Sequence, residues 1–212
     1  VEQMLDGQRM MLAGISHELR TPLARMKLQA ALLDDKIDTL SLHEDIEEMD
    51  ALVEMLLVSS QLQSGSFEIH LERIVLQELV FDVLALVDLG ERYISLDVNS
   101  SLIVVADRLL IKRVLLNLCS NIEKYTPVDC TVSIDGKYVD KMVQIIVSDT
   151  GDGLSDDKLI HSLEPFWRAD QSRTKDGETN TSWGLGLSFI QHVIEAHEGT
   201  VELSHNQPTG LK

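Results

Sequence analysis

The chain has 212 residues, enough for one large or two small domains that each bury a core. Its formal net charge of −17 argues against binding to a nucleic-acid backbone, and its 44% hydrophobic content is typical of a soluble globular protein. No apolar run reaches the roughly 18 residues that cross a bilayer, and two cysteines, Cys119 and Cys130, predict packed, reduced thiols in a cytoplasmic protein rather than a disulfide framework.

The first predicted element is a long helix over residues 2–33, in which leucine or methionine recurs at every seventh position. A second apolar stripe covers residues 42–57, and Ser41 with Glu44 predicts its start as a capping box. Two helices joined by a short polar connection should pair antiparallel, and two copies of this hairpin should form a homodimeric four-helix bundle. Nine acidic residues against a single lysine between Asp34 and Glu54 fit a solvated helix face or, alternatively, a docking surface for a basic partner.

One histidine of the first helix does not belong to its apolar stripe. At roughly 100° per residue, His17 projects away from the stripe, with Glu18 beside it and Thr21 one turn further on. An exposed imidazole with a neighbouring carboxylate can act as a nucleophile, although a solvated surface histidine fits the same pattern. Pro22 should kink a helix whose stripe continues on both sides, which favours a functional site.

Beyond a linker near residues 63–66 the elements become shorter and mixed, so we predict two domains, residues 1–63 and residues 67–212. A sheet covered on one face by helices is expected for the second domain. Its predicted helices are 76–89, 108–125 and 185–196, its strands are 94–98, 102–106, 130–137, 142–148 and 200–204, and a long polar loop covers 169–183.

Two amides lie on one face of the predicted helix 108–125. Asn117 and Asn121 are four residues apart, and Lys124 and Tyr125 follow at the helix end. Amide oxygens suit Mg²⁺ with phosphates, lysine neutralises charge, and a tyrosine ring can pack on a base. A polar helix face with a C-terminal cap is the alternative.

Two glycine-containing motifs follow. Asp149, Gly151 and Gly153 form a DxGxG turn after an apolar strand, where a carboxylate can accept a hydrogen bond from an exocyclic amine; an ordinary turn is the alternative. Residues 184–187, Gly-Leu-Gly-Leu, open a helix whose N-terminal backbone donors suit phosphate oxygens, although a simple helix start also fits.

The run His17-Glu18-Leu19-Arg20-Thr21-Pro22 resembles the phosphoacceptor box of bacterial two-component sensor histidine kinases. The later motifs are similar, in the same order, to the ATP-binding domain of that family, which has the GHKL or Bergerat ATPase fold. The resemblance implies an α hairpin that forms a dimeric four-helix bundle, followed by an α/β sandwich. It also implies that His17 accepts the phosphoryl group, that Glu18 is the general base, and that Thr21 positions water for a phosphatase reaction.

The resemblance further implies ATP and Mg²⁺ as cofactors. Asn117 and Asn121 correspond to the N box, with Asn121 as the Mg²⁺ ligand and Lys124 and Tyr125 near the phosphates and the base. The remaining implied ligand-binding residues are Asp149, Gly151 and Gly153 of the first glycine box, Phe166 at the start of the lid, and Gly184, Leu185, Gly186 and Leu187 of the second glycine box.

The function implied by this resemblance is autophosphorylation of His17 followed by phosphoryl transfer to an aspartate of a response-regulator receiver domain. The chain would be the cytoplasmic portion of an inner-membrane sensor whose upstream segment is missing. Ser182 and Trp183 depart from the family pattern. Two alternatives therefore stay open: a degenerate transmitter that serves as a nucleotide-binding dimeric scaffold, and a GHKL-type conformational ATPase.

Overall fold

A computed structural model of the chain describes residues 39–168 and 183–212. The chain divides into two compact units, Val1–Gln61 and Leu62–Lys212. The described helices are α1 (Thr39–Gln63), α2 (Leu76–Leu84), α3 (Arg108–Tyr125), α4 (Asp156–His161) and α5 (Gly186–Ala196), and the strands are β1 (Leu71–Val75), β2 (Tyr93–Val98), β3 (Ile103–Asp107), β4 (Thr131–Val139) and β5 (Met142–Asp149).

Helix α1 accounts for nearly all of the described part of the first unit. It already includes Thr39 and Leu40, so the predicted start at Ser41 is wrong and that residue lies inside the helix. Leu52 and Leu56 are buried, whereas Val53 and Leu57, on a neighbouring face, are 41% and 58% exposed. None of the helices in the described ranges is both long and apolar enough to span a bilayer.

The described residues of the second unit form two sheets. In the smaller, β1 and β3 pair antiparallel, with Leu71 opposite Asp107. In the larger, β4 is central: β2 pairs with it in parallel, with Tyr93 opposite Thr131, and β5 pairs with it antiparallel, with Val132 opposite Asp149. The parallel β2 and β4 are joined through β3 and α3, as a crossover connection requires.

The core of the second unit lies between the larger sheet and helices α2, α3 and α5. Along β4, Val132 and Ile134 are buried while the intervening Ser133 is polar and only half-buried, which is the alternation of a sheet covered on one face. Helices contribute other fully buried side chains to the core, among them Leu79, Val83, Leu115, Phe189 and Val193. The predicted α/β architecture of the second domain is therefore confirmed.

Several predicted elements differ from the structure. The helix predicted over 76–89 ends at Leu84, and the backbone N–H of the following residue, Ala85, donates to the carbonyl of Phe81. Strand β1 and the short helix α4 were not predicted.

The strand predicted over residues 200–204 is wrong. Instead of joining β5, Ser204 exchanges two backbone hydrogen bonds with Lys212, and His205 bridges Leu211. The N–H and C=O groups at the end of this segment are therefore hydrogen-bonded to residues after the short turn that follows it. In the described residues, the segment does not pair with β5 as a strand.

Candidate functional site

Helix α3 carries the two amides of the candidate site. It begins where Asp107 accepts hydrogen bonds from two N–H groups of the first turn, at 3.0 and 3.1 Å. Asn117 and Asn121 lie one turn apart and are both half-buried. The Nδ2 atom of Asn117 donates to the carbonyl of Arg113 at 2.9 Å, which directs its Oδ1 atom away from that carbonyl.

The start of α5 lies against these amides. A Cβ atom placed on Gly186 would lie 3.1 Å from Oδ1 of Asn117 and 3.9 Å from Nδ2 of Asn121. Leu185 provides no side-chain cap, and the first N–H groups of a helix have no acceptor within the helix. Together with the positive end of the helix dipole, these donors suit phosphate oxygens. The structure thus brings Asn117, Asn121 and Gly186 together.

The turn after β5 is organised by a buried carboxylate. Oδ1 of Asp149 accepts a hydrogen bond from the N–H of Gly151 at 2.8 Å. No residue of the described ranges donates a hydrogen bond to its Oδ2 atom, which therefore suits an amine donor of a ligand. A Cβ atom on Gly151 would lie 3.2 Å from Cγ2 of Thr126, so this turn meets the C-terminal end of α3.

The end of the chain supports the same turn. The backbone N–H of Asp149 donates to Leu211 at 2.9 Å, and Nδ2 of Asn206 donates to the Asp149 carbonyl at 2.7 Å. A side chain on Gly210 would overlap that carbonyl, so the approach requires glycine. Gly153 (φ +69°) lies on this side of the turn, and a Cβ atom there would sit 3.0 Å from the Gly210 carbonyl oxygen.

Phe166 and Gly184 are tied together by their backbones. The N–H of Phe166 donates to the carbonyl of Gly184 at 2.8 Å. Gly184 has a φ of +66°, and a Cβ atom there would lie 2.5 Å from the carbonyl oxygen of Trp167. Glycine is therefore required on both counts. Leu185 is buried beside it and Leu187 is half-buried, so the second glycine motif runs from just before α5 into its first turn.

Two predicted site residues are not drawn into this cluster. Lys124 and Tyr125 are exposed in the last turn of α3, and no described residue gives either side chain a hydrogen bond or ion pair. His17, Glu18 and Thr21 lie outside the described residues. The site described here is therefore built from Asn117, Asn121, the Asp149 turn and the start of α5.

The cysteines do not contribute a nucleophile. Both Cys119 and Cys130 are buried and free, as predicted. Burial raises the pKa of the Cys119 thiol to about 11, which keeps it protonated and unreactive at neutral pH. Its position on the core face of α3 makes it a packing residue.

Sequence reasoning missed the residues that support the site from behind. Arg92 and Thr126 are buried polar residues next to the end of α3, and Asn206 holds the Asp149 turn. Thr126 had one available signal, because it directly precedes Pro127 at a helix end. Nothing in the local sequence distinguishes Arg92 from a surface arginine.

Two family models match the chain. The model described as Histidine kinase-, DNA gyrase B-, and HSP90-like ATPase matches residues 106–212, which contain every described site residue named above except Arg92. The model described as His Kinase A (phospho-acceptor) domain matches residues 8–65, which contain His17. The chain belongs to the sensor histidine kinases. The ATPase match implies that this sensor histidine kinase has an ATP-binding domain.

Individual relatives agree with this assignment. The chain is 32% identical to the sensor protein KdpD of Mycobacterium tuberculosis (strain CDC 1551 / Oshkosh) over 96% of its own length and 25% of the relative's. It is 29% identical to the sensor histidine kinase CusS of Escherichia coli (strain K12), over 96% and 44% of the two lengths. This sensor histidine kinase therefore spans less than half of these curated relatives.

Solved structures share the fold. The Acinetobacter baumannii histidine kinase AdeS superposes with a TM-score of 0.75 and 24% identity, covering 92% of this chain and 94% of AdeS. The histidine kinase ThkA, solved in complex with the response regulator protein TrrA, superposes with a TM-score of 0.69 and 22% identity, covering 99% and 61% of the two chains.

Proposed function

We propose that this chain is the catalytic core of a homodimeric sensor histidine kinase that phosphorylates itself on His17 and passes the phosphoryl group to an aspartate of a response regulator. The observation that carries the proposal is the approach of Gly186 to Asn117, since a Cβ atom there would lie only 3.1 Å from the amide oxygen. This approach sets the backbone donors of α5 and the two side-chain amides of α3 around one space, as a polyphosphate requires.

The residues of the second unit have separate roles in binding ATP. The Oδ2 atom of Asp149 accepts a hydrogen bond from the adenine amine. The backbone from Gly184, just before α5, to Leu187, in its first turn, binds phosphate oxygens. Asn121 is the protein ligand for Mg²⁺. One amide oxygen suffices, because Mg²⁺ usually keeps waters and takes its other ligands from the phosphates. When bound, the ion neutralises charge on the phosphates.

The proposed chemical step uses residues of the first unit. One imidazole nitrogen of His17 attacks the γ-phosphorus of ATP, the bond from that phosphorus to the β-phosphate oxygen breaks, and ADP leaves. Glu18 accepts the proton that the imidazole loses. Thr21 positions a water for a separate phosphatase reaction, in which hydrolysis removes a phosphoryl group as inorganic phosphate.

Two observations support the dimer and the partner. Val53 and Leu57 of α1 form an exposed apolar strip, which a four-helix bundle would cover. ThkA, a structural neighbour, was solved in complex with a response regulator. We place the chain in the cytoplasm, where ATP and receiver domains are available, as part of a longer membrane-anchored sensor.

Incubation with γ-labelled ATP and Mg²⁺ tests the function. We expect label that is lost in acid, survives base and disappears in His17→Gln. His161→Gln is the matched control, because His161 is an exposed histidine paired with Glu164 and should leave labelling unchanged. Binding of ATP without any acid-labile label would refute kinase activity and support the scaffold alternative.

A further inference from the structure

Arg92 is a buried cation that none of the sequence motifs includes. Only 8% of its surface is exposed. Its Nε atom donates to Oγ1 of Thr126 (3.1 Å), Nη1 donates to the carbonyl of Leu89 (2.9 Å), and Nη2 donates to the carbonyls of Glu123 (3.0 Å) and Thr126 (2.7 Å). Within the described ranges, all of these partners are neutral oxygens. A buried guanidinium without a carboxylate partner calls for an explanation.

The explanation lies in where the four acceptors are. The carbonyls of Glu123 and Thr126 belong to the end of α3, where helix carbonyls have no intrahelical donor and the helix dipole is negative. Arg92 therefore stabilises this helix end through charge and hydrogen bonds together. It also fixes the direction in which the chain leaves α3.

The same contacts fix the orientation of the Thr126 side chain through its hydroxyl. It donates to the carbonyl of Ile122 (2.7 Å) and accepts from Arg92 and from the Cys130 thiol (3.2 Å). A hydroxyl has one donor and two acceptor sites, so all three are used. With the hydroxyl held, the other branch of the side chain, Cγ2, is held against Gly151.

Gly151 is the residue whose N–H orients the Asp149 carboxylate, at 2.8 Å. A continuous series of contacts therefore runs from Arg92 through Thr126 and Gly151 to Asp149. We propose that Arg92 is a positioning residue for nucleotide recognition: it holds Thr126 against the Gly151 turn and so sets the carboxylate that accepts the adenine amine. This inference rests on the proposed function for the role of Asp149. Arg92 itself does not touch the nucleotide.

The test compares ADP and GDP binding by titration calorimetry in the wild type, Arg92→Met, Arg92→Lys and Thr126→Val. Residues that orient metal ligands typically contribute about tenfold or more to metal affinity. By analogy, we expect ADP to bind roughly tenfold more weakly to Arg92→Met while GDP affinity changes little. Arg92→Lys should lie between, because one ammonium group cannot reach all four acceptors. General destabilisation of the protein would weaken both nucleotides alike, so it would not lower the preference for ADP over GDP.

Two variants serve as controls. Arg108→Met removes an arginine from the other end of α3, where it forms an exposed ion pair with Asp82 at 2.6 Å, and should leave ADP affinity unchanged. Leu79→Ala removes a fully buried side chain of α2 and should lower Tm without changing the ratio of ADP to GDP affinity. These controls separate positioning from loss of charge and from loss of stability.

A double-mutant cycle completes the experiment. If Arg92 acts through Thr126, the variant Arg92→Met/Thr126→Val should bind ADP about as weakly as Arg92→Met alone. Additive losses, an unchanged preference for ADP, or a parallel loss of ADP and GDP binding would overturn the positioning role. If Arg92→Met does not fold, Arg92→Lys and Thr126→Val decide the question. If the wild-type protein binds neither nucleotide, the proposed function itself is refuted. If the Arg92 variants bind both nucleotides as the wild type does, only the positioning role of Arg92 is refuted.

Discussion

Gly186→Ala is the sharpest test of the site geometry, because a single methyl group enters the space between α5 and α3. The new Cβ atom would lie 3.1 Å from Oδ1 of Asn117. The amide cannot retreat freely, because its Nδ2 atom is hydrogen-bonded to the carbonyl of Arg113 at 2.9 Å. Either that hydrogen bond lengthens or the start of α5 moves outward by a few tenths of an ångström.

The substitution should lower both the stability of the protein and its affinity for nucleotide. Overpacking of this kind costs about 1–3 kcal/mol, and alanine in place of glycine in a helix recovers about 0.5–1 kcal/mol, so the net loss is at most about 2.5 kcal/mol. Nucleotide binding depends on the positions of the α5 backbone donors and the α3 amides relative to each other. A displacement of either should weaken ATP binding by about tenfold or more.

The assay is calorimetric titration with ATP, combined with denaturant unfolding of the same variant. Gly65→Ala is the matched control: Gly65 has a φ of +68° and nothing within 4 Å of an added Cβ atom, so alanine strains the backbone without touching the site. It should lose stability and keep its ATP affinity. Wild-type ATP affinity in a folded Gly186→Ala protein would show that α5 and α3 do not form the phosphate site.

Three further outcomes are expected. Asp149→Asn should reduce ATP affinity by about tenfold or more and narrow the preference for ATP over GTP, because the amide presents a donor in place of an acceptor; equal titration curves for mutant and wild type would contradict this role. Cys119 and Cys130 should resist a thiol reagent at about pH 7.5 in the native protein and both react in urea, since both are buried and the pKa of Cys119 is about 11; rapid native labelling would refute it. Burial lowers the pKa of His192 below its usual 6.5, so the unfolded chain binds more protons and the free energy of unfolding should fall as the pH drops below about 6.5. That fall should be shallower in His192→Leu, and an identical slope in both proteins would exclude this histidine as its source.

The elements that the sequence predicts well are those with strong local signals. Helix α3 has the predicted bounds, 108–125. A capping aspartate precedes it, a proline follows Thr126, and its buried apolar residues lie on one face. Strand β5 agrees within one residue, because its apolar run lies between a turn at residues 140–141 and the turn after Asp149. The spacing of apolar residues and the residues that start or stop an element are enough to predict the bounds of such segments.

The failures come from interactions that local sequence does not encode. Strand β1 carries Leu71, Glu72 and Arg73, all exposed, so it lacks the alternation of a half-buried strand and exists through its pairing with β3. The predicted strand 200–204 has the alternation but finds its hydrogen-bond partners in the returning chain. Tertiary pairing decides both cases.

For the site, residue types were predictable but their neighbours were not. Asn117 and Gly186 are far apart in the chain, and only the packing of α5 on α3 places them in contact distance. Lys124 and Tyr125 follow the amides closely in sequence yet remain outside the described cluster, since they occupy exposed positions of the last turn. Lys124, seven residues after Asn117, lies within about 20° of it around the helix, so its position beyond the amides along the helix axis, and not helical rotation, keeps it outside the cluster.

The length of the last turns of helix α3 sets the distance between the two ends of the proposed nucleotide site. Asn121 lies at one end and Thr126 at the other, separated along the helix axis by about 7.5 Å at 1.5 Å per residue. One residue inserted between them would rotate the amides by about 100° relative to Thr126, so that both could no longer face the same site. Changes of chain length in this interval should therefore be rejected during evolution and in design. The turn between β4 and β5, at Asp140 and Lys141, is exposed and carries no site residue, so length changes should be tolerated there.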